Sequence, residues 1–94
     1  MNRAEVLDLL ARNKPTLVVR YGVDRLALFG STARDAARAD IDILVSFDGP
    51  ATSERYFGVQ FFLEDLLGRP VDLVTDKALR PELRPFIERE AVHV

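Results

Sequence analysis

Apolar positions recur along this chain at two spacings, and the switches between them divide it into short elements. Val6, Leu9 and Leu10 fall at helical spacing, and Asn2 followed three positions on by Glu5 has the form of a capping box, so a helix is expected from Asn2 to about Arg12. Pro15 suits the first turn of a second helix running to Tyr21, with Gly22 where a left-handed cap is needed. Leu26 to Phe29 is a brief apolar run ended by Gly30, and Ile41 to Phe47 is a longer one rich in β-branched residues; both read as strands. Between them, the alanine- and arginine-rich stretch from Ser31 to Arg38 has helix propensity for about two turns. Asp48, Gly49 and Pro50 stop the second strand, and Ser53 with Glu54 opens a helix that ends near Leu67, ahead of Gly68 and Pro70. Val71 to Thr75 is a third strand. Leu79, Leu83, Phe86 and Ile87 suit a last helix in which Pro85 fits only near the first turn, and Val92 to Val94 reads as a terminal strand. The order ααβαβαβα predicts an α/β (α+β) architecture, a small mixed sheet flanked by helices, with residues 1–94 forming a single domain.

Composition narrows the chemistry. Apolar residues make up 48% and charged residues 30%, the balance of a soluble globular chain. No apolar run approaches the ~18–20 residues that span a bilayer, and the N-terminus, with Glu5 and Asp8, lacks a secretory pattern, so a cytoplasmic protein without membrane contact is expected. There is no cysteine, which removes disulfides, thiolate nucleophiles and thiolate metal sites, and His93 is the single histidine, too few for a multi-histidine zinc centre. His93 is given no catalytic role. Thirteen basic against fifteen acidic residues leave a net charge of −2, which argues against strong nucleic-acid binding through a basic field. Any polyanion must be held by a local device.

Such a device is visible. Gly30-Ser31 stands where a strand hands over to a short helix, so backbone N–H groups and a hydroxyl there could meet a phosphate. Alone, the pair signifies only a turn and a cap. Asp40 and Asp42 lie two apart at the mouth of the second strand, so alternation sets both carboxylates on one face while Ile41, Ile43 and Val45 point to the core. Like charges this close repel unless a divalent cation neutralises them, and oxygen-only ligation suits magnesium or manganese. Asp72 interrupts the third strand in the same way and would complete a three-carboxylate cluster. Taken singly, these acids are also what a solvent-facing strand edge carries, or, for Asp72, what a cap or an ion pair with Arg69 requires. The combination of Gly-Ser with Asp-x-Asp at short spacing is what raises them above that reading.

The stretch LALFGSTARDAARADIDILVSF resembles the DNA polymerase β-like nucleotidyltransferases, specifically the minimal nucleotidyltransferases, whose hallmark is Gly-Ser, a spacer, then Asp-x-Asp on the next strand. The resemblance covers nearly the whole chain and implies the polymerase β-like nucleotidyltransferase fold. It implies that Gly30 and Ser31 hold the triphosphate of ATP, that Asp40 and Asp42 bind magnesium, two ions in such sites, and that Asp72 takes the third acid's place beside the attacking hydroxyl. Arg34 matches the family's arginine, as a phosphate contact or a structural ion pair. The resemblance further implies an antitoxin that transfers AMP from ATP to a tyrosine of a HEPN-family ribonuclease toxin. Asp35 and Ala39 depart from the family's usual glycine and serine, and the loop before Asp40 is shorter than is common. Two other readings remain: a catalytically weak or inactive antitoxin acting by contact alone, and a nucleotidyltransferase acting on a small molecule.

The helix from Ser53 to Leu67 adds a second feature. Val59, Leu63 and Leu66 share its core stripe, with Tyr56, Phe62 and Leu67 flanking, while Phe57 and Phe61 fall on the other side among Glu54, Glu64 and Asp65. These two rings either pack under the N-terminal helices or form an aromatic patch for a partner. Exposure of both decides between the two.

Overall fold

The computed structural model describes residues 2–30 and 41–94. Its elements are α1 (Arg3–Tyr21), β1 (Val23–Phe29), β2 (Ile41–Phe47), α2 (Ser53–Leu67), β3 (Val71–Thr75), a short 3-10 turn (Asp76–Ala78), α3 (Arg84–Glu90) and β4 (Val92–His93). The expected helix over Ser31 to Arg38 lies outside the described residues. Among those described, no helix is long and apolar enough to cross a membrane.

The N-terminal segment departs from expectation: α1 is one continuous helix through Pro15, not two. Asn2 caps it as the capping box requires, its Oδ1 accepting from the Glu5 N–H at 2.9 Å. A mid-helix proline strands the carbonyl four residues back, here that of Ala11. Ala11 and Pro15 are both on the solvent side, so water can satisfy that carbonyl. Val6, Leu10 and Leu17 meanwhile bury one stripe completely, on both sides of the proline. Burial of a shared face outweighs the local break. Gly22, at φ +71, closes the helix in the left-handed conformation, its N–H bonding back to Val18.

The four strands form a mixed sheet in the order β3-β2-β1-β4, with β2 and β3 parallel and the other pairs antiparallel. Both faces are covered. One carries the main core, in which Leu26, Leu28, Ile41, Ile43, Val45, Val71 and Leu73 pack under α1 and α2. The other carries a smaller cluster of Ala27, Phe29, Leu44 and Leu79, joined by Val74, Ile87 and Ala91. Residues of even number in β2 therefore share the α3 face, as two-residue alternation demands. Arg84 ties the 3-10 turn to α3, reaching the Asp76 carboxylate at 2.8 Å and the Asp76 carbonyl at 3.0 Å. Its hydrogen bond to Asp76 raises the guanidinium pKa above the ordinary value.

Helix α2 buries Val59, Leu63 and Leu67, with Tyr56, Phe62 and Leu66 half-buried, so Leu67 replaces Leu66 at the centre of the stripe. Its flank also shields the outer edge of β3. The Tyr56 hydroxyl donates to the Leu73 carbonyl at 2.6 Å, and the Val71 N–H donates to Glu64 Oε2 at 3.0 Å. Backbone groups that would otherwise template another strand are thereby engaged.

Candidate active site

β1 ends where β2 and β3 begin, so three chain segments meet at one end of the sheet. There, Phe29 faces Asp42 across the antiparallel pair, and Asp42 faces Asp72 across the parallel pair. Adjacent strands are about 4.8 Å apart, which sets the two carboxylate-bearing residues side by side. Ile41, Ile43, Val71 and Leu73 point into the main core, so both acids project from the opposite face. Asp42 is half-buried and Asp72 is exposed, an acid at the rim beside an acid deeper in.

Gly30 completes the corner. It follows β1 directly, with φ at +78, and a Cβ built there would collide with Asp42 Oδ2 and stand 3.1 Å from its Cγ. The Gly30 backbone therefore lies against the Asp42 carboxylate. Sequence reasoning placed glycine here for the approach of an anion; the structure adds that its missing side chain also makes room for the acid itself. Nothing in the sequence signals that contact, which depends on β1 and β2 being neighbours.

Of the residues singled out from the sequence, Gly30, Asp42 and Asp72 come together. Ser31, Arg34 and Asp40 lie outside the described residues, as do Asp35 and Ala39. Phe57 and Phe61 belong elsewhere, on the outward side of α2, beyond the main core and across the sheet from the acids. They are 49% and 63% exposed, which rules out packing under the N-terminal helices. Two cavities of about 240 and 260 Å³ open around Ser46, Arg25 and Asp76 at the other end of the strands and include none of the predicted site residues.

The donor set fits a hard divalent cation. Two carboxylate-bearing residues on neighbouring strands offer only oxygen, and the Gly30 backbone lies against one of them. Among the described residues no group of three or more acids or histidines converges, and Asp40, the expected third ligand, is outside them.

Known proteins resemble this chain over most of its length. Residues 10–94 match the family model described as a nucleotidyltransferase domain. A protein of Thermococcus cleftensis named protein adenylyltransferase MntA is 35% identical over 92 residues, covering 96% of this chain and 93% of its own. A solved structure provisionally described as a minimal nucleotidyltransferase superposes with a TM-score of 0.76 at 38% identity, over 98% of this chain and 95% of that one. A Shewanella oneidensis complex of a tri-AMPylated HEPN toxin with its MNT antitoxin matches with a TM-score of 0.60, over 96% of this chain and 66% of that one. Its 22% identity speaks to the fold alone.

Proposed function

The chain belongs to the nucleotidyltransferase domain family, and from that premise we propose that it transfers AMP from ATP to a tyrosine hydroxyl of a HEPN-family toxin and so acts as its antitoxin. Nucleotidyl transfer is the family's chemistry; the donor, acceptor and partner are the finer reading. The observation that carries it is the contact of Gly30 with Asp42 beside Asp72, a glycine turn at the end of β1 set directly against acids on two neighbouring strands.

In this reading Gly30 and Ser31 lay their backbone along the triphosphate, with Arg34 at a phosphate oxygen or holding the loop. Asp40 and Asp42 would hold magnesium, and Asp72 would add a third carboxylate. Magnesium bound there would supply positive charge to offset the negative charge that develops during transfer. Asp72, the exposed member, faces the side from which an acceptor enters and takes or steers the proton of its hydroxyl. The acceptor oxygen forms a bond to the α-phosphorus as the bond from that phosphorus to the pyrophosphate oxygen breaks. Pyrophosphate leaves with the electron pair, and the partner keeps the AMP. The name of the Thermococcus relative, a protein adenylyltransferase, supports a protein acceptor over a small molecule.

The test is transfer from radiolabelled ATP with magnesium to a candidate HEPN-family ribonuclease partner, comparing wild type with Asp42→Asn. Label on a partner tyrosine, lost in Asp42→Asn, is expected. Silencing of the partner's ribonuclease activity without any label would replace this reading with antitoxin action by contact alone.

A further inference from the structure

The outward side of α2 is chemically unlike the rest of the helix. Phe57 and Phe61 stack there with ring centroids 6.1 Å apart and planes 23° from parallel, and the edge of Tyr56 supports Phe57 at 5.2 Å. The pair is thus a fixed apolar plateau rather than two independent side chains. At about 100° per residue, Glu54, Glu64 and Asp65 border the same side. Glu54 and Asp65 are exposed and form no ion pair among the described residues. Of the arginines nearby, Arg55 reaches Asp48 at 2.9 Å, and Arg20 lies over the rings of Tyr21 and Phe62 at 5.1 and 5.9 Å. An aromatic centre is left with an acidic rim.

We infer that the Phe57–Phe61 side of α2 is a docking surface for a protein partner whose contact face is apolar at its centre and rimmed by lysine or arginine. Charge decides between occupants. Glu64 is engaged by the Val71 N–H, so the free rim charges are Glu54 and Asp65; a second copy of this chain would bring these two against their own counterparts, and like charges meeting across an interface oppose association. A basic rim instead pairs with these acids while apolar side chains cover the two rings. The sheet stands between this plateau and the Asp42–Asp72 corner, so a partner held here leaves the carboxylates open. The inference rests on the functional reading only in requiring a protein partner.

The probe is a synthetic amphipathic helical peptide with leucine on one side and lysine on its flanks, titrated into the isotope-labelled full chain and followed by amide shifts. Saturable binding with shifts centred on Glu54, Phe57, Phe61 and Asp65 is expected. The doubly substituted chain Phe57→Ser, Phe61→Ser weakens it at least tenfold, and Glu54→Gln with Asp65→Asn weakens it several-fold and flattens its salt dependence. Asp42→Asn binds the peptide as wild type does, so loss of transfer and loss of docking are read separately. The inference is overturned if no saturable binding occurs, if the serine substitutions leave it unchanged, or if a glutamate-flanked peptide binds as well. It is also overturned if light scattering finds a dimer that the serine substitutions disperse.

Discussion

Replacing Gly30 by alanine separates two effects that usually arrive together, backbone strain and steric intrusion. Gly30 and Gly68 have nearly the same left-handed backbone, at φ +78 and +67. A Cβ at Gly68 meets nothing within 4 Å, whereas at Gly30 it overlaps Asp42 Oδ2 and sits 3.1 and 3.3 Å from Asp42 Cγ and Cβ. Gly68→Ala therefore costs only the left-handed penalty, about 1–2 kcal/mol. Gly30→Ala adds the cost of pushing aside a half-buried side chain, about 1–3 kcal/mol by analogy with overpacked interiors. A domain of this size shifts its midpoint by about 4–8 °C per kcal/mol, so Gly30→Ala should melt roughly 4–24 °C below Gly68→Ala. It should still fold, since such domains hold on the order of 5–14 kcal/mol. The larger effect is on chemistry, because a displacement near 1 Å at a reacting group costs about 100-fold. The assays are thermal melts of both variants and transfer rate per folded molecule. If Gly30→Ala melts with Gly68→Ala and transfers at the wild-type rate, the Gly30–Asp42 contact does not shape the site.

Asp72→Asn keeps the shape of the side chain but removes the charge at an exposed position, so stability should move by less than about 0.5 kcal/mol while nucleotidyl transfer falls on the order of 100-fold or more; an unchanged rate would remove Asp72 from the site. Pro15→Ala restores an N–H to the middle of a continuous helix and should stabilise the chain by about 1–3 kcal/mol, read by urea unfolding, since the proline is exposed and only the backbone objects to it. Gly58→Ala drives a methyl into the Tyr21 ring and should destabilise by about 1–3 kcal/mol despite alanine's better helix propensity. Tyr21→Leu should recover part of that loss in a double-mutant cycle, and full additivity of the two changes would deny the contact.

Much of this architecture was legible from periodicity and turn chemistry. The bounds of β2, α2 and β3 and the caps at Asn2, Gly22 and Gly68 agree with expectation because each rests on local signals: β-branched runs, a side-chain cap, a glycine free to turn left-handed. Pro85 likewise stands in the first turn of α3. Pro15 misled for the converse reason. Its local preference is real, but the buried stripe of Val6, Leu10 and Leu17 spans it, and packing energy is invisible to a window centred on the proline. β1 starts three residues earlier than the apolar run suggested, since Val23 and the exposed Arg25 pair with Phe47 and Ser46 of β2, with exposed Asp24 at the irregularity in register between them.

For the site, the amino-acid order alone determined which residue types were on hand: a glycine after one strand and acids at the start of two others, in the pattern the family uses. It also determined that each acid points away from the main core, because alternation along a strand is a local property. Only the tertiary structure decided that Asp42 and Asp72 are neighbours, for that depends on β2 and β3 pairing in parallel and on the register between segments thirty residues apart. It likewise decided that Gly30 abuts Asp42 and that Phe57 and Phe61 remain in solvent on the far face. Side-chain direction is set by each residue's own backbone, whereas contact between distant segments is set by how whole elements pack.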